Sequence, residues 1–474
     1  MKKNYIRNWR FDLKSMAVVG ALLFAGTASA QLNGTYTINS SGGDFASFTE
    51  LQDTLDSKGV SGAVIINVAS GTYSETFELN DITGSSSTNT ITINGGGALI
   101  TSSSSETINV EDALYITFRD LLIQNTGSSG ECMVIQGESS YITVDSSEFI
   151  KRNGSRTSSS SIYLMISEGT SAFGNGADEK THITISNNYF HNGDVNNRSS
   201  GGYAGIAVHQ DQNEGGDQDI LITNNRISCW GRYGIVLEDV SGLDIIKNEI
   251  YNPTNYNDGF RQAVYHFSNF NFVGADEPCK VNENYMHDMN RSSYTGTTYG
   301  IQWYGYYGAS DVEMNNNIID IDTRGSKYGI YPYGAFTFYA SNPGNKSAQY
   351  NTISLRGATS STFSTVAGIY GFNLGSSVYN NNVISIEGQN GRTAVGVYNQ
   401  TGGTVSYNNV YVDVSNFQND ERYVTNNLNS GPSTAAAFID AYPNSVSTNP
   451  NFADRAAGDF TPQSIPMANK GTPV

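Results

Sequence analysis

The sequence is poor in cysteine, in charge and in long apolar runs. Its 474 residues include three cysteines, Cys132, Cys229 and Cys279, so a disulfide-held scaffold is excluded and at least one thiol is free. We expect these cysteines to be small buried residues. After residue 30 no apolar run is long enough to form a membrane-spanning helix. Charged residues are only 15% of the chain, and the abundance of Gly, Asn, Ser, Thr and Tyr is typical of many short strands joined by tight turns.

Residues 1–30 have the three parts of a secretory signal peptide. A basic region precedes the apolar stretch 16–26, and a small-x-small cleavage signal ends at Ala30. The apolar stretch is too short to span a bilayer. The sequence therefore predicts cleavage after Ala30 and a secreted or cell-surface protein that consists of residues 31–474.

The mature chain is strongly acidic. Removal of residues 1–30 takes away five basic residues and one acidic residue, which leaves 21 basic and 43 acidic residues and a net charge of −22. A field of this sign repels nucleic acid and polyanionic glycans, and it favours neutral ligands or divalent cations. No nucleic-acid partner is expected, and solubility is the main role that we assign to the charge.

An apolar strand followed by an Asn pair and a further apolar residue recurs through most of the chain. Clear copies occupy residues 183–190, 220–227 and 243–250, and successive copies are 23 to 41 residues apart. Such steps fit one coil of a solenoid with two or three short strands, and they are too irregular for a propeller. Asn tolerates the left-handed backbone of a sharp bend, so these residues are expected to hold the fold. We expect the following to lie at or beside one line of turns: Asn188, Asn225, Asn248, Asn317, Asn382 and Asn409.

A second repeated phrase places Ile or Val directly after Gly or Ala. It starts at residues 205, 234, 263, 300, 329, 368 and 394. Stacked β-branched residues pack well on a pleated face, so this column is expected to fill the interior. The predicted interior residues include Ile206, Ile235, Ile301, Ile330 and Ile369.

Both ends of such a solenoid need a cover. A capping box at residues 47–50 begins a predicted helix with Phe48, Leu51 and Leu55 on one face, and residues 433–442 favour a short closing helix. The predicted fold is all-β, a right-handed single-stranded parallel β-helix with a short N-terminal capping helix. Its predicted segments are a signal peptide at 1–30, an N-terminal cap at 31–62, the parallel β-helix at 63–430 and a C-terminal closing segment at 431–474.

Three features together resemble a known superfamily. They are the segment 43–48 that leads into the cap helix, the segment 65–75, and the repeated Gly-Ile and Asn-Asn phrases. The chain resembles the pectate-lyase-like right-handed β-helices, and most closely the large bacterial cell-surface proteins built from that repeat. The resemblance implies the fold but no single activity, because the superfamily includes lyases, hydrolases, esterases, epimerases, adhesins and phage tailspikes. The catalytic patterns of its glycosidase, esterase and lyase members are not found, so whether this chain is an enzyme stays open.

Aromatic residues follow the Gly-Ile phrase at two fixed offsets. If the Ile/Val column points inward, strand alternation turns the residues two and four positions after each start outward. A ladder of rings at the coil spacing suits packing against sugar rings. The alternative is that long loops cover the rings and make them a secondary core. The candidate ligand-binding residues are Phe267, Tyr304, Tyr333, Phe372 and Tyr398 in one column and Tyr265, Tyr331 and Tyr370 in the other.

Polar residues at the upstream end of this ladder are weak catalytic candidates. His209, Glu238, Arg261 and His266 offer a base, an acid and a positive charge, although any long β-helix carries such surface residues. The adjacent loop 211–219 has the oxygen-rich, Gly-turned character of a Ca²⁺ loop without its full spacing. The alternative is a solvated acidic loop, and no other cofactor is expected. The candidate Ca²⁺ ligands are Asp211, Asn213, Asp217 and Asp219.

The sequence thus favours an exported glycan-binding, adhesive or structural rod of roughly a dozen coils, about 60 Å long. The alternative is a polysaccharide-degrading lyase or glycoside hydrolase that works in a groove along the same helix. The expected partner is a polysaccharide or a cell-surface glycan. Its identity, the mode of anchoring and the oligomeric state stay open.

Overall fold

The computed structural model describes most of residues 31–474. Residues 1–29, which contain nearly all of the predicted signal peptide, lie outside the described residues. No helix among the described residues is long and apolar enough to cross a membrane. The described residues are 30–167, 182–194, 201–209, 219–238, 240, 242–252, 260–268, 278–289, 297–305, 311–322, 331–340, 346–356, 366–372, 377–389, 393–399, 403–415, 420–425, 434–442 and 444–463.

Three long parallel sheets wind round one core, and each coil adds one strand to each sheet in turn. This is the predicted right-handed single-stranded parallel β-helix. Sheet 1 consists of Leu32–Ile38, Val60–Val68, Ile91–Asn94, Leu114–Arg119, Ser140–Asp145, Ile183–Ser186, Ile220–Thr223, Leu243–Ile246, Cys279–Asn282, Val312–Asn315, Lys346–Gln349, Ser377–Asn380 and Thr404–Ser406. Sheet 2 consists of Thr72–Tyr73, Leu99–Ser102, Leu122–Asn125, Glu148–Ile150, Tyr189–His191, Arg226–Ile227, Glu249–Tyr251, Tyr285–His287, Ile318–Asp322, Thr352–Arg356, Val383–Gln389 and Asn409–Ser415. Sheet 3 consists of Phe77–Leu79, Glu106–Glu111, Glu131–Gln136, Ile162–Ile166, Ala204–His209, Tyr233–Glu238, Phe260–Ser268, Thr297–Gly305, Tyr331–Ala340, Val366–Phe372, Thr393–Asn399 and Asp420–Thr425.

The interior is a stack of aliphatic columns. Ile206, Ile235, Val264 and Ile301 pair in register from coil to coil, and all four side chains are fully buried. Ile369 continues this column and is also fully buried. The predicted interior column is therefore confirmed at these positions, whereas Ile330 lies outside the described residues.

The glycine of the repeated Gly-Ile phrase is explained by close packing at a corner. A Cβ atom on Gly205 would lie 2.4 Å from Cγ2 of Ile227 and 2.6 Å from the carbonyl oxygen of Gly234. A Cβ atom on Gly234 would likewise lie 2.5 Å from Cγ2 of Ile250. At this corner between sheets 2 and 3 the neighbouring atoms leave room for the hydrogen atom of glycine but not for a Cβ atom.

The asparagine directly before each of eight successive strands of sheet 2 belongs to a buried ladder along the turn between sheets 1 and 2. In one rung the side-chain oxygen of Asn225 accepts bonds from the backbone N–H and the amide Nδ2 of Asn188, at 2.9 and 3.0 Å. The Nδ2 group also donates to the carbonyl of Val144 at 2.9 Å. The prediction that these asparagines share one line of turns is confirmed, with Asn408 as the rung next to Asn409. The ladder residues are Asn188, Asn225, Asn248, Asn284, Asn317, Asn351, Asn382 and Asn408.

Helices lie at both ends of the solenoid. Helix α1 (Phe48–Lys58) is capped by Ser47, whose hydroxyl accepts the N–H of Glu50, and its residues Phe48, Leu51 and Leu55 are fully buried. Helix α2 (Ala435–Ala441) buries Phe438 in the main core. Strand Leu32–Ile38 pairs parallel with Val60–Val68, so sheet 1 begins inside the segment predicted as the N-terminal cap.

Part of the predicted closing segment folds back along sheet 2. Strands Phe452–Asp454 and Asp459–Pro462 form an antiparallel hairpin. The ring of Phe460 lies 6.0 Å from that of Tyr285, and the guanidinium of Arg455 is 2.5 Å from the carboxylate of Glu387. The hairpin therefore packs against the side of the helix.

All three cysteines are free and buried, as predicted. Cys132 and Cys279 lie in the interior, where burial raises the pKa of each thiol to about 11. These two thiols therefore act as small apolar side chains.

Candidate functional site on the outer face of sheet 3

The outer face of sheet 3 carries two parallel columns of polar and aromatic residues. In column 1, which begins at His209, each residue pairs in register with the next across the coils. Because alternate residues of a strand point to opposite faces, this column and its neighbour two residues upstream both lie outside the Ile column. Column 1 contains His209, Glu238, Phe267, Tyr304, Tyr339 and Phe372. Column 2 contains Ala207, Val236, Tyr265, Gln302, Thr337, Tyr370 and Tyr398.

The predicted places of Tyr331 and Tyr333 in these columns are wrong. The pairing between the strands Thr297–Gly305 and Tyr331–Ala340 shifts by one residue, so that Tyr333 has no counterpart and Tyr331 pairs with Thr297. Tyr339 takes the position in column 1 that the sequence had assigned to Tyr333. The phrase in register with Gly300-Ile301 is residues 335–336, where Phe336 replaces the expected Ile330.

Tyr398 also lies one column away from its predicted place. It pairs with Tyr370, not with Phe372, because residues 396–397 and not 394–395 match the Gly-Ile phrase. Tyr370 and Tyr398 are each only 5% exposed, and their rings stack with centroids 4.5 Å apart. They form a small outer core with Ala367 and Val395, so neither offers a ring face to a ligand.

Four rings form a continuous half-buried group nearer the middle of the sheet. Tyr265 stacks on Tyr233 at 5.2 Å, and Phe267 stacks on Tyr304 at 5.5 Å with the planes 20° apart. Tyr265 and Phe267 join the two pairs at 6.2 Å. Tyr265, Phe267 and Tyr304 keep part of their surface accessible, whereas Tyr233 is buried. Sequence reasoning missed Tyr233, although it directly precedes the repeated glycine at residue 234.

Polar groups border these rings. Nε2 of Gln262 donates to Oε1 of Gln302 at 2.8 Å, and Gln302 lies between Tyr265 and Thr337 in column 2. On the upstream side, the guanidinium of Arg232 lies 5.3 Å from the ring centroid of Tyr233, within cation–π range. Burial raises the pKa of Tyr265 above its ordinary value, so its hydroxyl stays protonated.

An imidazole–carboxylate pair heads column 1. Nδ1 of His209 lies 3.2 Å from Oε2 of Glu238, and Glu238 pairs in register with Phe267. The His209 side chain is 6% exposed and that of Glu238 is 14% exposed. An imidazole and a carboxylate side by side are the pair of groups that acid–base catalysis uses.

The other two catalytic candidates do not belong to this surface. His266 pairs with Leu237 and Trp303 in an interior column, where its fully buried ring stacks 3.9 Å from Trp303. Burial, with a smaller contribution from Lys346, lowers the pKa of His266 to about 3, so its imidazole is neutral. Arg261 is also fully buried, and its guanidinium donates to the carbonyl of Met289. Their predicted places on an accessible surface are wrong, because both side chains are fully buried.

Three of the four predicted Ca²⁺ ligands, Asp211, Asn213 and Asp217, lie outside the described residues. Asp219 is exposed, and its Oδ2 atom is 3.5 Å from Nε2 of His182. Among the described residues no group of three His, Cys, Asp or Glu side chains is placed to hold a metal ion. The calcium site stays a prediction.

Known proteins match this chain in structure and not in sequence. No protein-family model and no curated protein sequence matches the chain. An alginate lyase from Paenibacillus sp. str. FPU-7 is similar in structure at 14% identity and a TM-score of 0.39, over 72% of this chain and 99% of that one. PfbA, a surface adhesin of Streptococcus pneumoniae, matches at 12% identity and a TM-score of 0.44, over 80% and 89%.

A GH136 lacto-N-biosidase from Eubacterium ramulus matches at 12% identity and a TM-score of 0.44, over 79% of this chain and 70% of that one. At these identities and TM-scores the likeness carries no conclusion about function. The three parallel sheets by themselves show the predicted parallel β-helix.

Proposed function

We propose that the mature chain is a secreted or cell-surface rod that binds a neutral polysaccharide along the outer face of sheet 3. The observation that carries this proposal is the accessible pair Phe267 and Tyr304, stacked in register at 5.5 Å. Rings with apolar surface and polar borders suit the mixed surface of sugars, and here Gln302 provides such a border. The net charge of −22 of the mature chain disfavours polyuronates and sulfated glycans.

Affinity electrophoresis of the mature protein in gels that contain β-glucan, xylan, galactomannan or polygalacturonate tests this proposal. We expect retardation by at least one neutral polymer and none by polygalacturonate. Ring stacking does not depend on charge, so retardation should survive salt that screens electrostatics. Phe267→Ala and Tyr304→Ala should each weaken binding by about 1 kcal/mol.

Tyr350→Asn is the matched control, because Tyr350 is an exposed ring, 41% accessible, that lies at the turn between sheets 1 and 2. It should bind like the unchanged protein. Equal retardation of all three variants, or retardation by polygalacturonate alone, would refute a neutral-glycan surface on sheet 3.

A polysaccharide-cleaving enzyme is the second candidate, and the His209–Glu238 pair favours it. The test is to incubate the same polymers with the protein and to follow both unsaturated products and new reducing ends. If the pair is catalytic, Glu238→Gln should abolish cleavage and retain retardation in the gel. Absence of product from every polymer that the protein binds would leave the binding rod as the function.

A further inference from the structure

A column of left-handed residues runs along the entrance to sheet 1, remote in the coil from the rings of sheet 3. One such residue directly precedes the first inward apolar residue of each strand in five successive coils. The φ angles are 60° at Tyr115, 59° at Tyr141, 58° at His182, 38° at Asp219 and 63° at Gly242. A left-handed backbone is unfavourable for Tyr and His, so its repetition in one column is notable.

The first three side chains of this column form a stack of rings. The centroids of Tyr115 and Tyr141 are 4.4 Å apart, and those of Tyr141 and His182 are 4.3 Å apart. The stack faces solvent, since 41% of Tyr141 is exposed. Its spacing is close to the rise between coils, so each coil supplies one layer.

The column breaks at Gly242, which as a glycine contributes no side chain to its layer. The following coil places Pro278 in the same position, immediately before the buried Cys279. A cleft of about 330 Å³ occupies this break. Two coil rises, about 10 Å, separate the layer of Asp219 from that of Pro278, which leaves room for one six-membered ring between them. The residues that line the cleft are Asp219, Ile220, Leu221, Gly242, Asp244, Pro278 and Lys280.

The lining of the cleft combines apolar surface with charged hydrogen-bonding groups. Leu221, Asp244 and Lys280 follow one another in the outward column of sheet 1. Nζ of Lys280 lies 3.6 Å from Oδ1 of Asp244, and both side chains are about one-third exposed. Asp219 contributes a second carboxylate at the layer where the ring stack ends. Carboxylates accept bonds from hydroxyl groups, an ammonium donates to ring or hydroxyl oxygens, and the Leu and Pro side chains suit the C–H face of a sugar.

We propose that this cleft binds one pyranose ring of a neutral glycan, inserted at the level of Gly242 as the missing layer of the column. Two carboxylates disfavour a uronate or a sulfated sugar, and a volume of about 330 Å³ suits one or two sugar units. The site lies on sheet 1, whereas the proposed polysaccharide surface lies on sheet 3. It therefore adds a second sugar contact and does not depend on the first.

Saturation-transfer NMR on the mature protein tests the site, with methyl β-D-glucopyranoside, methyl β-D-galactopyranoside and methyl α-D-mannopyranoside as probes. EDTA in the buffer keeps the result independent of divalent cations. We expect saturable binding of at least one pyranoside. Gly242→Tyr should abolish it, because the new ring fills the cleft, and the fold should persist because Tyr115 and Tyr141 hold the same φ in the same column.

Asp244→Asn should weaken the binding about tenfold, the loss expected for one hydrogen bond to a charged group. Glu313→Gln is the matched control, because Glu313 follows Lys280 in the same outward column and does not line the cleft. It should leave the affinity unchanged. If Gly242→Tyr does not fold, the comparison of Asp244→Asn with Glu313→Gln decides the question by itself.

The Tyr304→Ala variant separates the two proposals. Loss of pyranoside binding in Tyr304→Ala but not in Gly242→Tyr would overturn the cleft and support sheet 3. The reverse result would support the cleft and leave the sheet 3 surface to be decided by gel retardation with polymers. Saturable binding of none of the three pyranosides, or equal binding by Asp244→Asn and Glu313→Gln, would also overturn the cleft.

Discussion

At the scale of single residues, the two asparagines of each pair have different roles. The first adopts a left-handed backbone, with φ of 57° at Asn187 and 57° at Asn316. Lys247 and Glu283 occupy this position in other coils with φ of 61° and 59°, so the side chain there is exchangeable. The asparagine that follows this position is buried and bonded to its neighbours in eight successive coils, because an amide both donates and accepts along the stack.

This division predicts a large difference between two neighbouring substitutions. Asn284→Ala removes the acceptor of the Asn248 N–H and the donor to the Ile245 carbonyl, both buried. We expect it to cost about 3 kcal/mol or more of unfolding free energy. Asn316→Gly, at a left-handed position, should change the unfolding free energy by roughly 0.5 kcal/mol at most. Urea denaturation of both variants checks this, and similar midpoints would contradict the ladder.

His266 predicts a pH dependence of stability. Its pKa is about 3 in the folded protein, below its ordinary value of 6.5, because the ring is buried and Lys346 is near. The unfolded chain therefore binds a proton between about pH 6.5 and 3 that the folded protein excludes, and this group lowers stability as the pH falls through that window. For this one group the free energy of unfolding can fall by at most about 1.4 kcal/mol per pH unit.

The variant His266→Phe retains a ring against Trp303 and cannot be protonated. We expect urea midpoints at pH 7, 5 and 4 to fall more steeply for the unchanged protein than for this variant. Carboxylates titrate in both proteins, so their contribution cancels in the comparison. Parallel midpoints would show that His266 is not buried as a neutral ring.

At the scale of strands and columns, the sequence predicts the interior better than the outer face. Inward positions were predictable because apolar residues such as Ile183 and Ile185 alternate with polar ones and recur in every coil. Register within sheet 3 was not predictable near residue 330, because both 329–330 and 335–336 place an apolar residue after a small one. A slip of this kind moved Tyr333 and Tyr398 into the wrong column.

The exposure of the rings was not predictable either, since burial on the outer face depends on packing outside the repeat. Tyr304 and Tyr398 look alike in sequence, yet one is accessible and the other is 5% exposed. The cleft on sheet 1 was also missed. Its signal is the residue before each inward apolar position, where Tyr115, Tyr141 and His182 give way to Gly242.

Close packing at the corner between sheets 2 and 3 leads us to expect a strong preference for glycine at residue 234. Gly234→Ala should cost about 1–3 kcal/mol of unfolding free energy, because its Cβ would overlap Cγ2 of Ile250. Gly71→Ala is the matched control, since the nearest heavy atom to its Cβ would be 4.0 Å away. Thermal denaturation of the two variants checks the difference. A Gly234→Ala protein as stable as Gly71→Ala would mean that the corner can relax.

At the scale of the whole molecule, the predicted calcium loop can be tested by its effect on the melting temperature. If Asp211, Asn213, Asp217 and Asp219 bind Ca²⁺, EDTA should lower the melting temperature and added Ca²⁺ should restore it. A Ca²⁺ concentration about 100 times the Kd should raise the free energy of unfolding by about 2.7 kcal/mol. Asp217→Asn should reduce the shift, and Mg²⁺ serves as the comparison ion. An unchanged melting temperature at millimolar Ca²⁺ would exclude a stabilising site.

The in-register parallel strands also determine how the molecule responds to force. The strands lie across the long axis, so the hydrogen bonds between them lie along it. When the two ends are pulled apart, we expect these hydrogen bonds to break one coil at a time. The coil from Asn248 to Asn284 holds 36 residues, which extend to about 125 Å once released, against a folded rise of about 5 Å. Optical-tweezer extension should therefore show a series of low-force steps that follow the coil lengths, for instance a shorter step for the 23 residues between Asn225 and Asn248. If one end is attached to a surface and a glycan is bound along the side, each coil that opens adds length to the chain between the attachment and the glycan.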